Sequence, residues 1–232
     1  MTITADHGYD DLPRLMSLMT GDEKHDFAAT STLDALWVLY DRVLDVTPER
    51  AGAPDRDRFL LSKGHGPMAY YAVLAAKGFV PEEWLPGFGS YDSPLGHHPD
   101  RVLVPGAEIG SGSLGHGLPL AVGSALGLRA QGLTGPAVWV LIGDAELDEG
   151  SNHEAIAYAG AAGLDRLHTV VVDNASASHA LPGGIAARFE AANWSTATVD
   201  GRDHAALYEA FTAPHPGRPL AVVARVEPKN AR

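Results

Sequence analysis

The stretch AVWVLIGDAELDEGSNHEAIAYAGAAGLDRLHTVVVDNAS, Ala137 to Ser176, decides the fold. It opens on an apolar run, Ala137 to Ile142, that stops at Gly143-Asp144. A helical pattern follows from about Asn152 to Ala162, and then a second apolar run, Leu167 to Val172, stops at Asp173-Asn174. Short apolar runs separated by a helix predict parallel strands joined by a crossover helix. The rhythm continues outward. A helix from about Leu118 to Ala130 precedes the stretch. A helix at Ile185 to Ala192, a strand at Thr196 to Val199, a helix at His204 to Phe211 and a strand at Leu220 to Val226 follow it. The expected class is α/β, a mostly parallel sheet with helices on both faces. Such sheets bind ligands at the carboxyl ends of their strands, where the Gly-Asp and Asp-Asn pairs stand.

Upstream, STLDALWVLYDRVLDV (Ser31 to Val46) carries apolar residues at helical spacing and Pro48 closes it, while Pro67 to Lys77 predicts a second helix stopped by Gly78. Between Pro81 and Ser111 lies a run rich in Gly, Pro, His and Asp; ordered loops that long inside a compact domain are usually functional. At 232 residues the expectation is one large domain over 1–232, with an N-terminal helical arm to about residue 50.

Composition narrows the function. The formal net charge of −12 opposes binding to a phosphate backbone, so nucleic acid is not an expected partner. With no cysteine, disulfides, thiolate zinc sites, iron–sulfur clusters and a cysteine nucleophile are excluded, which fits a reducing cytoplasm. The opening MTITADHGYDDLPR lacks the basic start and apolar run of a signal peptide, and no apolar run approaches the roughly 20 residues that cross a bilayer, so no membrane association is expected.

Three groups of residues could carry chemistry. Asp144 and Asn174 stand 30 positions apart, one helix plus one strand. A right-handed crossover sets them at neighbouring strand ends, where a carboxylate, an amide oxygen and a backbone carbonyl suit a hard cation such as Mg2+. The alternative is that Asp144 caps the next helix and Asn174 makes a turn. In GSGSLGHGLPLAVGSALGL (Gly110 to Leu128), glycines at 110, 112, 115 and 117 precede a helix; they either let backbone N–H groups approach a ligand or only permit close packing. His25, His65, His97 and His98 complete the set, three of them beside Gly or Pro, and imidazoles suit proton transfer and phosphate binding. Glu146, Asp148 and Glu149 crowd a helix start, where the helix dipole favours acids.

Taken in order, these segments resemble the N-terminal half of transketolase. RDRFLLSKGHGPMAYYAVLAAKGF (Arg56 to Phe79) is similar to the family's RDRFxLSKGH segment, and GHHPD to its GHPD/E loop. PGAEIGSGSLGHGLPLAVGSALG (Pro105 to Gly127) is similar to PGxExxTGxLGQGLxxAVG. GDAELDEGSNHEA with VVVDNAS resembles the thiamine diphosphate signature, GDG followed some thirty residues later by Asn.

The resemblance implies roles for particular residues. Asp144 and Asn174 would coordinate Mg2+, with the Ser176 carbonyl completing the protein's share. His65 would contact the diphosphate and the reacting centre, His98 the donor sugar's hydroxyls, and His25 would move substrate protons. Gly112, Ser113 and Leu114 would form the turn over the aminopyrimidine, with Gly143 and Ala145 beside the diphosphate. Glu149 would join the acidic network linking paired active sites. Three departures stand out: Ala145 replaces the last glycine of GDG, His116 replaces the usual Gln, and DFAATS after His25 lacks glycines.

A full transketolase continues into a pyrimidine-binding and a C-terminal domain, and the pyrimidine-binding domain supplies the glutamate that protonates N1′. With the chain ending at Arg232, the resemblance implies a split enzyme. This chain would be its diphosphate-binding subunit, working with a separate pyrimidine-domain subunit in an α2β2 assembly and moving a two-carbon ketol unit from a ketose or ketose phosphate to an aldehyde. The competing expectations are an α-like subunit of a thiamine-dependent 2-oxo acid decarboxylase or dehydrogenase, and a degenerate, non-catalytic partner domain.

Overall fold

Among the described residues, five parallel strands form a single sheet in the order β1-β2-β3-β5-β4, with β1 at Arg58–Leu61, β2 at Val138–Gly143, β3 at Leu167–Asp173, β4 at Ser195–Asp200 and β5 at Leu220–Arg225. The structure is a computed structural model that describes residues 7–20, 30–178 and 182–229. The described helices are α1 (Leu12–Ser17), α2 (Leu33–Val38), α3 (Met68–Ala76), α4 (Gly117–Ala130), α5 (Gly150–Ala161), α6 (Gly184–Glu190) and α7 (His204–Phe211).

The central strands are buried on both sides, so they read as unbroken apolar runs rather than alternating ones. β2 has all six residues buried. Phe59, Leu61, Trp139, Leu141, Val170, Val172 and Val222 face one core layer with α1, α2, α3 and α7. Leu60, Val138, Val140, Ile142, Leu167, Val171 and Ala221 face the other with α4, α5 and α6. The N-terminal helices belong to this core, since Leu12, Leu15 and Leu36 are fully buried.

Two expectations need correction. The helix predicted to reach Val46 stops sooner: α2 loosens into a wide turn over Leu39–Val43, and Leu44 is extended. The edge strand β1 was not expected. Its four residues are too few to show a period, and its identity comes from pairing Arg58 to Leu61 with Val138 to Leu141. The long run from Pro81 to Ser111 contains one short 3-10 turn, Glu82–Gly87, and is otherwise irregular. Among the described residues no helix is long and apolar enough to cross a membrane.

This topology brings four strand ends to one edge. Ser62, Lys63 and His65 follow β1, Asp144 follows β2, Asn174 follows β3, and Glu227 and Lys229 follow β5.

Candidate functional site

At that edge, a cavity of about 180 Å3 is lined by Lys63, His65, Leu114, Gly143, Ala145, Glu146, Asn174, Ser176 and Lys229. Behind it stands the buried carboxylate of Asp144. Its oxygens accept from Ser176 N–H at 2.7 Å, Ser176 Oγ at 2.6 Å and Ala177 N–H at 3.1 Å. Asp144 therefore organises the loop after β3, and its side chain makes no cap on the short 3-10 turn that follows it, Ala145–Asp148, which corrects the capping alternative. To close the turn, Ala175 takes a left-handed backbone, φ 53°, a conformation costly for a residue with a Cβ. Strain of this kind collects at functional sites.

Asn174 is 2 % exposed, and its Oδ1 has no hydrogen-bond partner. A buried amide oxygen without a donor is costly unless a ligand completes it. Asn174 and Ser176 at the cavity wall and the Asp144 carboxylate behind it offer oxygen donors, the chemistry that hard divalent cations prefer. The residues present fit Mg2+.

Two lysines that the sequence reading did not single out give the cavity its positive charge. Lys63 is 8 % exposed, its stem packs beside Gly143, and its Nζ lies 3.4 Å from Ser31 Oγ. Burial pushes its ammonium down to about 8, with Asp144 acting in the opposite direction. Lys229 is anchored by its N–H, which donates to the Asn174 carbonyl at 2.8 Å. Lys63 lies in the quoted LSKGH segment, but a lysine is ordinarily solvated and gave no signal there. Two ammonium groups and an imidazole beside a cation site make a receptor for a polyanion such as a diphosphate.

The helix dipole was expected to account for at least one of Glu146, Asp148 and Glu149, and Glu146 is used otherwise. It is buried at 1 % exposure, and its carboxylate accepts from Ser62 Oγ, from Gly115 N–H at 2.9 Å and from Gly143 N–H at 3.3 Å. Burial raises its pKa, opposed by those donors. This carboxylate fastens the loops after β1 and before α4 to the end of β2.

The glycine run is accordingly a packing device at most of its positions. The N–H groups of Gly115 and Gly117 are spent on Glu146 and Ser62 Oγ, so they are not ligand donors. Gly112, at φ 131°, lies so close to His98 that a Cβ would sit 2.8 Å from the ring. That approach presses His98 edge-to-face against His65, with ring centroids 5.1 Å apart. Leu114 reaches the cavity, while Ser113 is exposed. His116 is also exposed, its Nδ1 3.2 Å from the Leu114 carbonyl. Glu149 lies outside the cavity, exposed and packed on Gly115. Ala145 has no positive φ, so its backbone tolerates a Cβ where the family usually has glycine. His25 lies outside the described residues.

A profile for "Transketolase, thiamine diphosphate binding domain" matches residues 18–225. The chain belongs to the transketolase family. A transketolase from Pichia Stipitis superimposes with a TM-score of 0.80 at 24% identity, over 96% of this chain and 36% of that one. One from Leishmania mexicana does so with a TM-score of 0.76 at 24% identity, over 94% and 36%. At that identity they establish the shared fold. Among curated relatives, an apulose-4-phosphate transketolase subunit of Actinobacillus succinogenes is 45% identical over 143 residues, 62% of this chain and 51% of its own length. This transketolase-family chain thus spans about half of that relative. "Ferredoxin fas2" of Rhodococcoides fascians is 57% identical over 97% of this chain and 74% of its own length. The present chain has no cysteine, hence none of the thiolates that hold a ferredoxin cluster, and that name describes the Rhodococcoides protein alone.

Proposed function

We propose that this chain is the diphosphate-binding subunit of a two-chain transketolase that uses thiamine diphosphate and Mg2+ and works in the cytoplasm. The observation that carries the reading is the orphaned Asn174 Oδ1 in the wall of a lysine- and histidine-lined cavity, with the buried Asp144 behind it, in a chain of this family. Asp144, Asn174 and Ser176 would hold Mg2+, and Lys63, Lys229 and His65 would neutralise the diphosphate. When bound, thiamine diphosphate supplies the carbon nucleophile and electron sink that allow a ketose C2–C3 bond to break.

The protein's own groups do the rest. Gly143, Ala145 and Leu114 wall the diphosphate end and exclude water from it. His65 and His98, ring against ring, hold and move protons on the donor's hydroxyls, and His25, outside the described residues, keeps the role in substrate proton transfer that the family resemblance implies. Glu149, exposed outside the cavity, is available to the acidic network of an interface between chains. The cavity's 180 Å3 falls below the roughly 300–1,000 Å3 of a complete small-molecule site, which supports a reading in which further protein supplies the other walls. The Actinobacillus relative is by its name one subunit of a transketolase, which points the same way. A separate pyrimidine-domain subunit completes the site in an α2β2 assembly, and a sugar or sugar phosphate is the donor.

The test is ketol transfer from a ketose phosphate to an aldehyde, with thiamine diphosphate and Mg2+, with and without that second chain. Activity should require both chains. Full activity of this chain alone would overturn the two-chain reading, and decarboxylation of a 2-oxo acid in place of ketol transfer would move the protein to the other thiamine-dependent class.

A further inference from the structure

Outside the cavity, a network of charged groups surrounds Arg202, in the turn between β4 and α7. Every nitrogen of its guanidinium is engaged. Nη1 donates to the Thr30 carbonyl at 2.8 Å and to Asp34 Oδ2 at 2.6 Å. Nη2 and Nε donate to Glu227 Oε2 at 2.7 and 3.0 Å. Asp34 is nearly buried, and its other oxygen takes Tyr9 Oη at 2.5 Å and His204 Nε2 at 2.8 Å. A planar fork of donors is what allows one side chain to tie several acceptors at fixed angles.

The positions of those acceptors give the cluster a use. Thr30 adjoins Ser31, whose hydroxyl lies against Lys63 Nζ. Glu227 is two residues before Lys229, which lines the cavity and donates its N–H to the carbonyl of Asn174. Val226 N–H donates to the Asp173 carbonyl at 3.0 Å. One guanidinium thus fastens the two segments that deliver groups to both lysines of the cavity. The backbone of 226–229 is also bonded to the loop that carries Asn174.

Resting on the functional reading above, we infer that Arg202 is a positioning residue for the polyanion site. Through Glu227 it holds the segment after β5 in place, so that Lys229 faces the diphosphate. Through Thr30 and Asp34 it fixes the approach to Ser31 and Lys63. Arg202 is not among the residues that line the diphosphate cavity, and it lines instead a larger pocket of about 870 Å3 that shares Lys229; on the polyanion site it acts by restraint. The Glu227 arm is the exposed one, with 64 % of that side chain accessible, and it can be cut without opening the core.

The experiment uses the full chain as parent, Arg202→Gln, Glu227→Gln and the double variant. Amide hydrogen exchange at Lys229 and binding of Mg2+ with inorganic pyrophosphate are measured on each. Exchange at Lys229 should rise about tenfold in each single variant, and pyrophosphate should bind about five- to tenfold more weakly. The double variant should match Arg202→Gln rather than multiply the two effects, because residues in one network are coupled. Glu227→Gln keeps the buried Asp34 bonds, so it serves where Arg202→Gln folds poorly. Unchanged exchange at Lys229 in Glu227→Gln overturns the inference, and so does faster exchange with unaltered pyrophosphate affinity. A parent chain that binds no pyrophosphate counts against the functional reading, while Lys229 exchange still decides whether the restraint exists.

Discussion

Asn174→Ala and Asp144→Ala should part company in a melting experiment, because the structure gives the two side chains opposite roles in the unliganded chain. Asp144 accepts three hydrogen bonds, from Ser176 N–H, Ser176 Oγ and Ala177 N–H. Removing the carboxylate strands three donors at about 1–3 kcal/mol each, so a loss of about 4 kcal/mol is expected for a partly exposed loop. At about 3 °C per kcal/mol for a chain of this size, the melting temperature falls by about 12 °C. Asn174 Oδ1 has no partner to strand. Its removal relieves an unsatisfied oxygen and forfeits a little packing, so the net change stays within about 1 kcal/mol, or about 3 °C.

Ligand reverses the ranking of what matters. Thiamine diphosphate with Mg2+ at a hundred times its Kd should stabilise the parent by about 2.7 kcal/mol, near 8 °C. If losing one oxygen ligand weakens binding about a hundredfold, the same concentration leaves about 0.4 kcal/mol, or about 1 °C. The expected signature is therefore an Asn174→Ala variant that melts like the parent when empty and hardly responds to ligand. Differential scanning fluorimetry over a ligand series reads both numbers. A full ligand shift in Asn174→Ala would remove the amide from the cation site, and a large drop without ligand would show that the oxygen serves the fold.

His65→Ala and His98→Ala should each lower ketol-transfer turnover about a hundredfold with the partner chain present, the usual scale for a lost proton-transfer or charge-stabilising group, and leave the circular dichroism spectrum intact. Gly117→Ala should cripple folding, because the new Cβ collides with Ser62, whose hydroxyl bonds both Gly117 N–H and Glu146; soluble yield and melting temperature read the effect. His168 is buried in β3, stacked on Trp139 with centroids 4.2 Å apart, and burial holds its pKa well below the ordinary value. The folded chain refuses a proton that the unfolded chain accepts below about pH 6.5, so stability is intact above that pH and falls beneath it by up to about 1.4 kcal/mol per pH unit. Urea titrations at pH 7.5 and 5.5 should show a smaller acid loss in His168→Phe than in the parent; equal losses would refute the assignment.

The second half of the fold was legible because β2 and β3 are buried on both faces and carry no interrupting charge, so each reads as one apolar run ending at a polar pair. Asp144 and Asn174 followed from that pattern alone, since a crossover of fixed hand leaves little choice about where two consecutive strand ends lie. β1 was hidden for the converse reason: four residues at a sheet edge are defined by their pairing, which is not local. Lys63 and Glu146 were hidden by averages. A lysine is ordinarily solvated and an acid at a helix start ordinarily serves the dipole, and each departs from its average only because the loop after β1 folds back over β2. Arg202 had no signal at all, standing 168 residues from Asp34.

The two acids of GDAE show why the edge of this sheet needs more than a ligand set. Asp144 and Glu146 are two residues apart and both buried, yet they face different loops. Asp144 shapes the turn after β3 and, in doing so, sets Asn174 and Ser176 facing the cavity. Glu146 binds Ser62 and Gly115, and so sets the loop that carries Lys63 and His65 against the one that carries Leu114. One carboxylate therefore organises the oxygens proposed for the cation, and the other the loops that carry the groups proposed to meet the polyanion. A substitution at Glu146 removes no ligand from either. It would still degrade binding, because a site of this kind depends on holding its parts within a fraction of an ångström. In Glu146→Gln the remaining oxygen can still accept from both Ser62 and Gly115, but the NH2 that replaces the other oxygen must face the Gly143 N–H. The substitution should therefore weaken thiamine diphosphate binding more than an exposed change such as Glu149→Gln.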